Sequence, residues 1–181
     1  MSQQYYFSKF LVTSQVIYAS KYSFALVNLK PILPGHVLVA PKRIVARLRD
    51  LSKEEIDDLF ESVQVVQNVV EKAFGGTSSN IGIQDGPEAG QSVPHVHVHI
   101  IPRKKLDFEN NDDVYVHLEK NEATMNSEFD SNSAIAKDGL PKASMNRIIP
   151  KDEDRAPRTM EEMVKEAKWL ASLFKEDAHS C

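Results

Sequence analysis

Residues 95 to 101, His95-Val96-His97-Val98-His99-Ile100-Ile101, leave little choice of local structure. Branched apolar residues alternate with histidine and Pro102 follows, so the run is predicted to be a β-strand. Side chains in a strand point alternately to its two faces, with a rise of about 3.3 Å per residue. The three imidazoles then line one face, roughly 6.6 Å from one to the next, while Val96, Val98 and Ile100 turn to the core. Such an array can ligate a metal ion, perform proton and nucleophile chemistry, or simply be solvated. From these residues alone a metal site ranks first and a nucleophile close behind.

The 181 residues suffice for one domain with a sizeable core. A hydrophobic fraction of 41% and a charged fraction of 27% mark an ordinary globular chain. The net charge of −4 and pI near 5.9 argue against duplex nucleic acid as a partner, so any anion must be held by local groups. Cys181 is the only cysteine, which excludes a disulfide framework and a cysteine-based zinc site, and fits a reducing compartment. Met1-Ser2-Gln3-Gln4-Tyr5 lacks the basic and apolar regions of a secretory signal, and no apolar stretch reaches bilayer length. A cytoplasmic location, extending also to the nucleus, is the expectation.

Other stretches supply partners for the histidine strand. Gln15–Ala19 and Ser23–Leu29 are predicted strands, and in the second Phe24, Leu26 and Asn28 share a face. Asn28 either hydrogen-bonds a ligand there or closes the strand into a turn. After the Pro31–Gly35 turn, His36–Ala40 is a short strand that opens on a histidine. Ser52 and Glu55 form a capping box ahead of Ile56, Leu59, Val63, Val66 and Val70, a helix that stops at Gly75-Gly76. Ser79–Gln84 reads as a strand with Asn80, Gly82 and Gln84 on one face, Gly82 marking a close approach. Pairing it antiparallel with the histidine strand sets Gly82 and Gln84 beside the imidazoles. Tyr115 reads as a loop aromatic and His117 as solvated. Residues 119–158 lack periodicity and are expected to be a polar, flexible insertion. Thr159 and Glu162 open a last helix, over about Met160 to Lys175, and the tail with His179 and Cys181 is expected to fray. The division is thus 1–118 for the catalytic domain, 119–158 for the insertion and 159–181 for a helix packing back on it. The element order is that of an α+β domain.

The loop ahead of the histidines changes the ranking. Gly86, Gly90, Gln91 and Ser92 offer backbone N–H groups, an amide and a hydroxyl, which suit phosphate oxygens and do little for zinc. No carboxylate sits at strand spacing within the array. Clustered histidines oppose one another's protonation, so one can stay neutral and attack while a charged neighbour steadies phosphate. Alternation alone cannot say which.

His95-Val96-His97-Val98-His99 resembles the triad of the histidine-triad (HIT) superfamily of nucleotide hydrolases and transferases. The string from Gln84 to His95, closed by Ile101-Pro102-Arg103-Lys104, is similar to the fragile-histidine-triad branch. Ser23–Asn28 and Pro34–Val39 are too, and the likeness covers roughly residues 5 to 118 and returns in the last helix. The resemblance implies a HIT-like α+β fold, with about five antiparallel strands and two main helices, joined across a homodimer into a larger sheet. It implies a bis(5'-adenosyl)-triphosphatase that splits diadenosine triphosphate to AMP and ADP. His97 would attack the α-phosphate and become a nucleotidyl-histidine. His99 would contact the phosphate, while His95 and His36 support and polarise the cluster. Gln84, Gly90, Gln91, Ser92 and Val93 would hold phosphate oxygens and the leaving group, and Asn28 the ribose. Magnesium or manganese would assist on the polyphosphate, with no tightly bound metal and neither nucleic acid nor membrane as partner. Two features depart from the branch: Lys9 stands where a member carries a substrate-contacting histidine, and the 119–158 insertion is long, reading as a lid or a passive loop. The rivals are an adenosine 5'-monophosphoramidase, opposed by the Gln84–Pro94 string, and a nucleotide-sensing binding module with slow turnover.

Overall fold

Among the described residues, short apolar runs punctuated by glycine and proline make seven strands. The computed structural model describes residues 3–135 and 157–177. A small hairpin, β1 (Tyr6–Phe7) and β2 (Phe10–Leu11), turns through Ser8 at a φ of 54°. The main sheet contains β3 (Val16–Ala19), β4 (Ser23–Val27), β5 (Val37–Pro41), β6 (Ser78–Gly82) and β7 (Val98–Arg103). Their order is β3-β4-β5-β7-β6, and each neighbouring pair is antiparallel. The expected five-stranded antiparallel α+β fold is the one observed.

Two cross-strand rows show how this sheet builds a site. Val27, Val37, Ile100 and Ile81 lie opposite one another across β4, β5, β7 and β6. Leu26, Leu38, His99 and Gly82 form the adjacent row. Directly opposed residues share a face, so one row is wholly apolar and the other sets His99 between a leucine and a glycine. Gly82 has no side chain to crowd the imidazole.

Helix α1 (Lys53–Phe74) begins at the predicted Ser52–Glu55 capping box and ends at Gly75 in the left-handed conformation. Its buried residues Leu59, Val63, Val66 and Val70 recur at helical spacing, and it packs along β4, β5 and β7. Arg43, just past β5, donates through Nε and Nη2 to both Glu55 oxygens, at 2.8 and 2.6 Å. That guanidinium holds the Glu55 carboxyl down at about 2, tying the sheet to the helix start.

Residues 113–135 depart from the expected loop. They form α2 (Asp113–Ile135), a third long helix beside the two predicted ones. Val114, Asn121, Glu122, Met125 and Phe129 are buried along one side of it and Leu118 is half-buried there. Tyr115 and Val116 face out. Two polar residues at inward positions and two apolar ones at outward positions erase the stripe that would announce a helix. Residues 136–156, the rest of that insertion, lie outside the described residues, as does the tail with His179 and Cys181. Tyr115 is a helix residue whose hydroxyl accepts from Asn80 Nδ2 at 3.4 Å, and His117 stacks on Phe108 instead of standing in solvent.

Last comes α3 (Met160–Asp177), whose Thr159–Glu162 box is formed in both directions. It packs against β3, β4 and α1. Just before it, Arg158 donates its backbone N–H to the Leu29 carbonyl and its guanidinium to the Asn28 carbonyl. Among the described residues no helix is long and apolar enough to cross a membrane.

Candidate active site

The histidines are not a sheet surface. His36, His95, His97 and His99 are all buried, and Glu122 of α2 reaches His97 and His99. The regular strand also starts later than alternation suggests, at Val98. His95 lies in a bend, and Val96 donates to the Val45 carbonyl instead of to a sheet partner.

Backbone groups decide which nitrogen of each ring carries a proton, since a backbone N–H only donates and a carbonyl only accepts. Ile32 N–H donates to His36 Nδ1 at 3.1 Å, so a neutral His36 carries its proton on Nε2. That Nε2–H points at His99 Nδ1, 2.9 Å away. His99 then bears its proton on Nε2, which faces Glu122 at 3.5 Å. His97 is wired in the opposite sense. Its Nδ1–H donates to the His95 carbonyl at 2.7 Å, which leaves Nε2 turned toward Glu122, 3.1 Å away. Rings 36, 99 and 97 form a contiguous cluster, with centroids 5.2 Å apart in the first, tilted pair and 4.9 Å in the second, edge-on pair.

The imidazole of His95 stands apart from that cluster. It lies against Phe7, whose edge meets His97. Both of its nitrogens are used: Nδ1 accepts from Ser8 N–H and Nε2 donates to the Pro41 carbonyl, each at 2.9 Å. Burial pushes the ring down to about 4, and the neighbouring His97 adds to the shift. Burial lowers His99 as well, against the pull of Glu122. A consequence can be measured. The unfolded chain protonates an ordinary histidine near 6.5, whereas folded His95 resists until about 4. Between these values the unfolded state binds the extra proton, so stability falls as pH drops from about 6.5 toward 4. Urea unfolding across that range should show the decline, and His95→Gln should make it shallower. Equal slopes for the two proteins would refute this role.

The loop residues divide into braces and donors. Gln91 braces: its Oε1 accepts from Gly86 N–H at 3.0 Å and its Nε2 donates to the Ala46 carbonyl at 2.9 Å. Gly90, with φ at 93°, ends a short helical turn, and a Cβ there would lie 2.8 Å from Gln84 Nε2. Val93 is buried. Ser92 is the donor toward the histidines, sending its backbone N–H to Glu122 Oε1 at 2.9 Å with its hydroxyl at 3.4 Å. Gln84 Oε1 is buried without a partner. Asn28 Nδ2 lies 3.2 and 3.5 Å from the two nitrogens of His36, a position over the ring rather than in line with either lone pair. Lys9, by contrast, is at the surface and pairs with Asp130 of α2 at 2.7 Å.

Glu122 is the residue that reading the sequence missed. It is wholly buried, with one oxygen 3.1 Å from His97 Nε2. Burial alone would raise its carboxyl, yet hydrogen bonds from His97 and His99 together hold it far below the ordinary carboxylate range. His97, His99 and Glu122 present ligand atoms within 4.8 Å of one another, close enough for a metal ion. The wiring speaks against one, because the chain from Ile32 through His36 leaves a proton, not a lone pair, on His99 Nε2. Ser92 N–H, Ser92 Oγ and His99 Nε2–H form a cage for an anion.

A five-stranded antiparallel sheet carrying a buried histidine cluster beside a glycine-bearing loop defines an α+β class with a histidine-lined site. Comparison with known proteins narrows it. The HIT domain family matches residues 9–106, and the chain belongs to that family. It is 61% identical over 178 residues to the bis(5'-nucleosyl)-tetraphosphatase [asymmetrical] of Schizosaccharomyces pombe, covering 98% of each chain. To the bis(5'-adenosyl)-triphosphatase of Dictyostelium discoideum it is 46% identical over 173 residues, covering 95% of this chain and 94% of the other. Among solved structures, the Caenorhabditis elegans NitFhit protein superposes with a TM-score of 0.67 at 33% identity, over 96% of this chain and 31% of that one. The Plasmodium falciparum diadenosine triphosphate hydrolase gives 0.57 at 35% identity, over 71% of this chain and 88% of its own.

Proposed function

We propose that this protein hydrolyses dinucleoside polyphosphates, splitting diadenosine triphosphate to AMP and ADP through a nucleotidyl intermediate on His97. The observation that carries the reading is the His95 carbonyl on His97 Nδ1–H. It holds the ring in the tautomer whose Nε2 lone pair can attack, facing the donors of Ser92 and His99. In the first step Nε2 bonds to the α-phosphorus and the bond to the bridging oxygen breaks, releasing ADP. Water then attacks the same phosphorus, the P–N bond breaks, and AMP leaves with His97 restored. Ser92 N–H and His99 Nε2–H hold the phosphoryl oxygens through both steps. Gln84 Oε1, buried and unpartnered, is available to accept a hydrogen bond from the attacking water, and Asn28 would hold the ribose. A magnesium or manganese ion carried by the polyphosphate would neutralise its β- and γ-charge.

The names of the relatives support this substrate class and divide on chain length, since one is a tetraphosphatase and the other a triphosphatase. Attack by His97 on the α-phosphate would release AMP from a diadenosine tri- or tetraphosphate alike, so the two substrates should be assayed side by side. The half-exposed outer strand β6 supports pairing across a homodimer. A cytoplasmic and nuclear location belongs to the same proposal.

The test is turnover of diadenosine triphosphate in oxygen-labelled water, with an alkaline quench of the enzyme. Label should enter AMP and not ADP, and the peptide containing His97 should carry an adenylyl group. Label in ADP, or an adenylyl group on another residue, would sink the mechanism.

A further inference from the structure

We infer that α2 is a plug: the Glu122 carboxylate occupies the phosphate position of the histidine site and must withdraw before a nucleotide phosphate can enter. The inference rests on the reading of that site as one for phosphate. Ser92 spends its donors on Glu122, and His99 Nε2, which makes no hydrogen bond of its own, faces the same carboxylate. Ser92 N–H reaches it at 2.9 Å, Ser92 Oγ at 3.4 Å, His97 Nε2 at 3.1 Å and His99 Nε2 at 3.5 Å. Two carboxylate oxygens sharing one negative charge are a fair copy of two non-bridging phosphate oxygens.

The contact also disarms the nucleophile. His97 Nε2 and a carboxylate oxygen 3.1 Å apart must share a proton, so the lone pair that would attack is engaged while Glu122 stays. A phosphate cannot join it there, because two anions would compete for the same few donors in a buried site.

The helix is attached in a way that suits release. Away from the site it is fastened by ion pairs from Lys30 to Glu128 and from Lys9 to Asp130. Phe129 packs on Phe7 and Phe10 of the small hairpin, and Asn121 Nδ2 donates to the Lys30 carbonyl. Its inward face is interrupted by Asn121 and Glu122, and its outward face is largely polar. A helix that adds Met125 and Phe129 to the core but breaks its inner face with Asn121 and Glu122 opens at lower cost than one apolar along that whole face.

A protein whose binding-competent state is only partly populated shows an affinity reduced by that fraction. The test is titration calorimetry of AMP with the full chain, its Glu122→Gln variant and its Glu128→Lys variant. The first variant keeps the shape of the plug without its charge. The second sets a cation against Lys30 and loosens α2 without touching the site. AMP should bind Glu122→Gln about tenfold or more tightly than the parent, and Glu128→Lys more tightly by a smaller factor. Amide hydrogen exchange over residues 114–130 should speed up when AMP saturates the parent protein. Equal or weaker binding to Glu122→Gln overturns the plug, as does exchange that slows with AMP, which would make α2 a lid closing over substrate. Failure of all three proteins to bind AMP overturns it too, since donors freed of Glu122 would then have no affinity for phosphate. These readouts need no turnover. A protein that binds AMP as stated but does not split diadenosine triphosphate keeps the plug and rejects the hydrolase; an active hydrolase with equal AMP affinities rejects the plug alone.

Discussion

His97→Ala is expected to lower the turnover of diadenosine triphosphate by about 10⁴-fold or more, the scale seen when a covalent nucleophile is removed. Of the four buried histidines it alone has one nitrogen held by a carbonyl acceptor and the other directed at the anion cage. His95 has both nitrogens committed to the backbone, and His36 spends its own on Ile32 and His99. Neither can substitute. The loss should appear in kcat with little change in KM, because the donors of Ser92 and His99 remain. His97 meets Phe7 edge-on at 5.2 Å, so truncation removes some packing; thermal unfolding should show that the variant still folds. A folded variant with activity within tenfold of the parent would end the nucleophile assignment.

Gly35→Ala is expected to destabilise the fold by about 2–5 kcal/mol, through two separate penalties. Gly35 sits at a φ of +86°, where a residue with a Cβ pays about 1–2 kcal/mol. The added Cβ would also stand 2.5 Å from Cδ2 of Phe74, at the end of α1. Relieving that overlap means moving the ring or the turn, and overpacking of this kind costs about 1–3 kcal/mol. The turn matters to the chemistry because His36 follows it directly and relays the Ile32 N–H to His99. Urea unfolding would give the stability change, and a loss below about 1 kcal/mol would show that the turn accommodates the methyl group.

Much of this arrangement can be read from residues, where each local signal has only one partner to satisfy. The capping boxes at Ser52 and Thr159 appear as predicted, because a hydroxyl and a glutamate three residues apart meet only at a helix start. Gly82 falls opposite His99, as antiparallel pairing required. What escaped was α2, and the cause is functional. Glu122 points inward to the histidines, so the position that would have completed an apolar stripe holds a charge. A signal was still present: Val114, Leu118, Met125 and Phe129 stand 8 and 4 residues before and 3 and 7 after Glu122, which puts all five on one helical face. The proton arrangement of the rings was beyond reach, since it depends on main-chain groups of Ile32, Ser8, Pro41 and His95 brought together by folding.

Arg158 joins the last part of the chain to one of the first. Its guanidinium and N–H take the carbonyls of Asn28 and Leu29, at the end of the strand that leads into the His36 turn. A chain made from its N-terminus onward has all four buried histidines well before that arginine leaves the ribosome. Until then the Asn28 and Leu29 carbonyls lack their closing partner, and α3 is absent from the sheet. The nascent protein can collapse around β4, β5 and β7 yet hold an unfinished site, which Arg158 and α3 complete only once they have emerged.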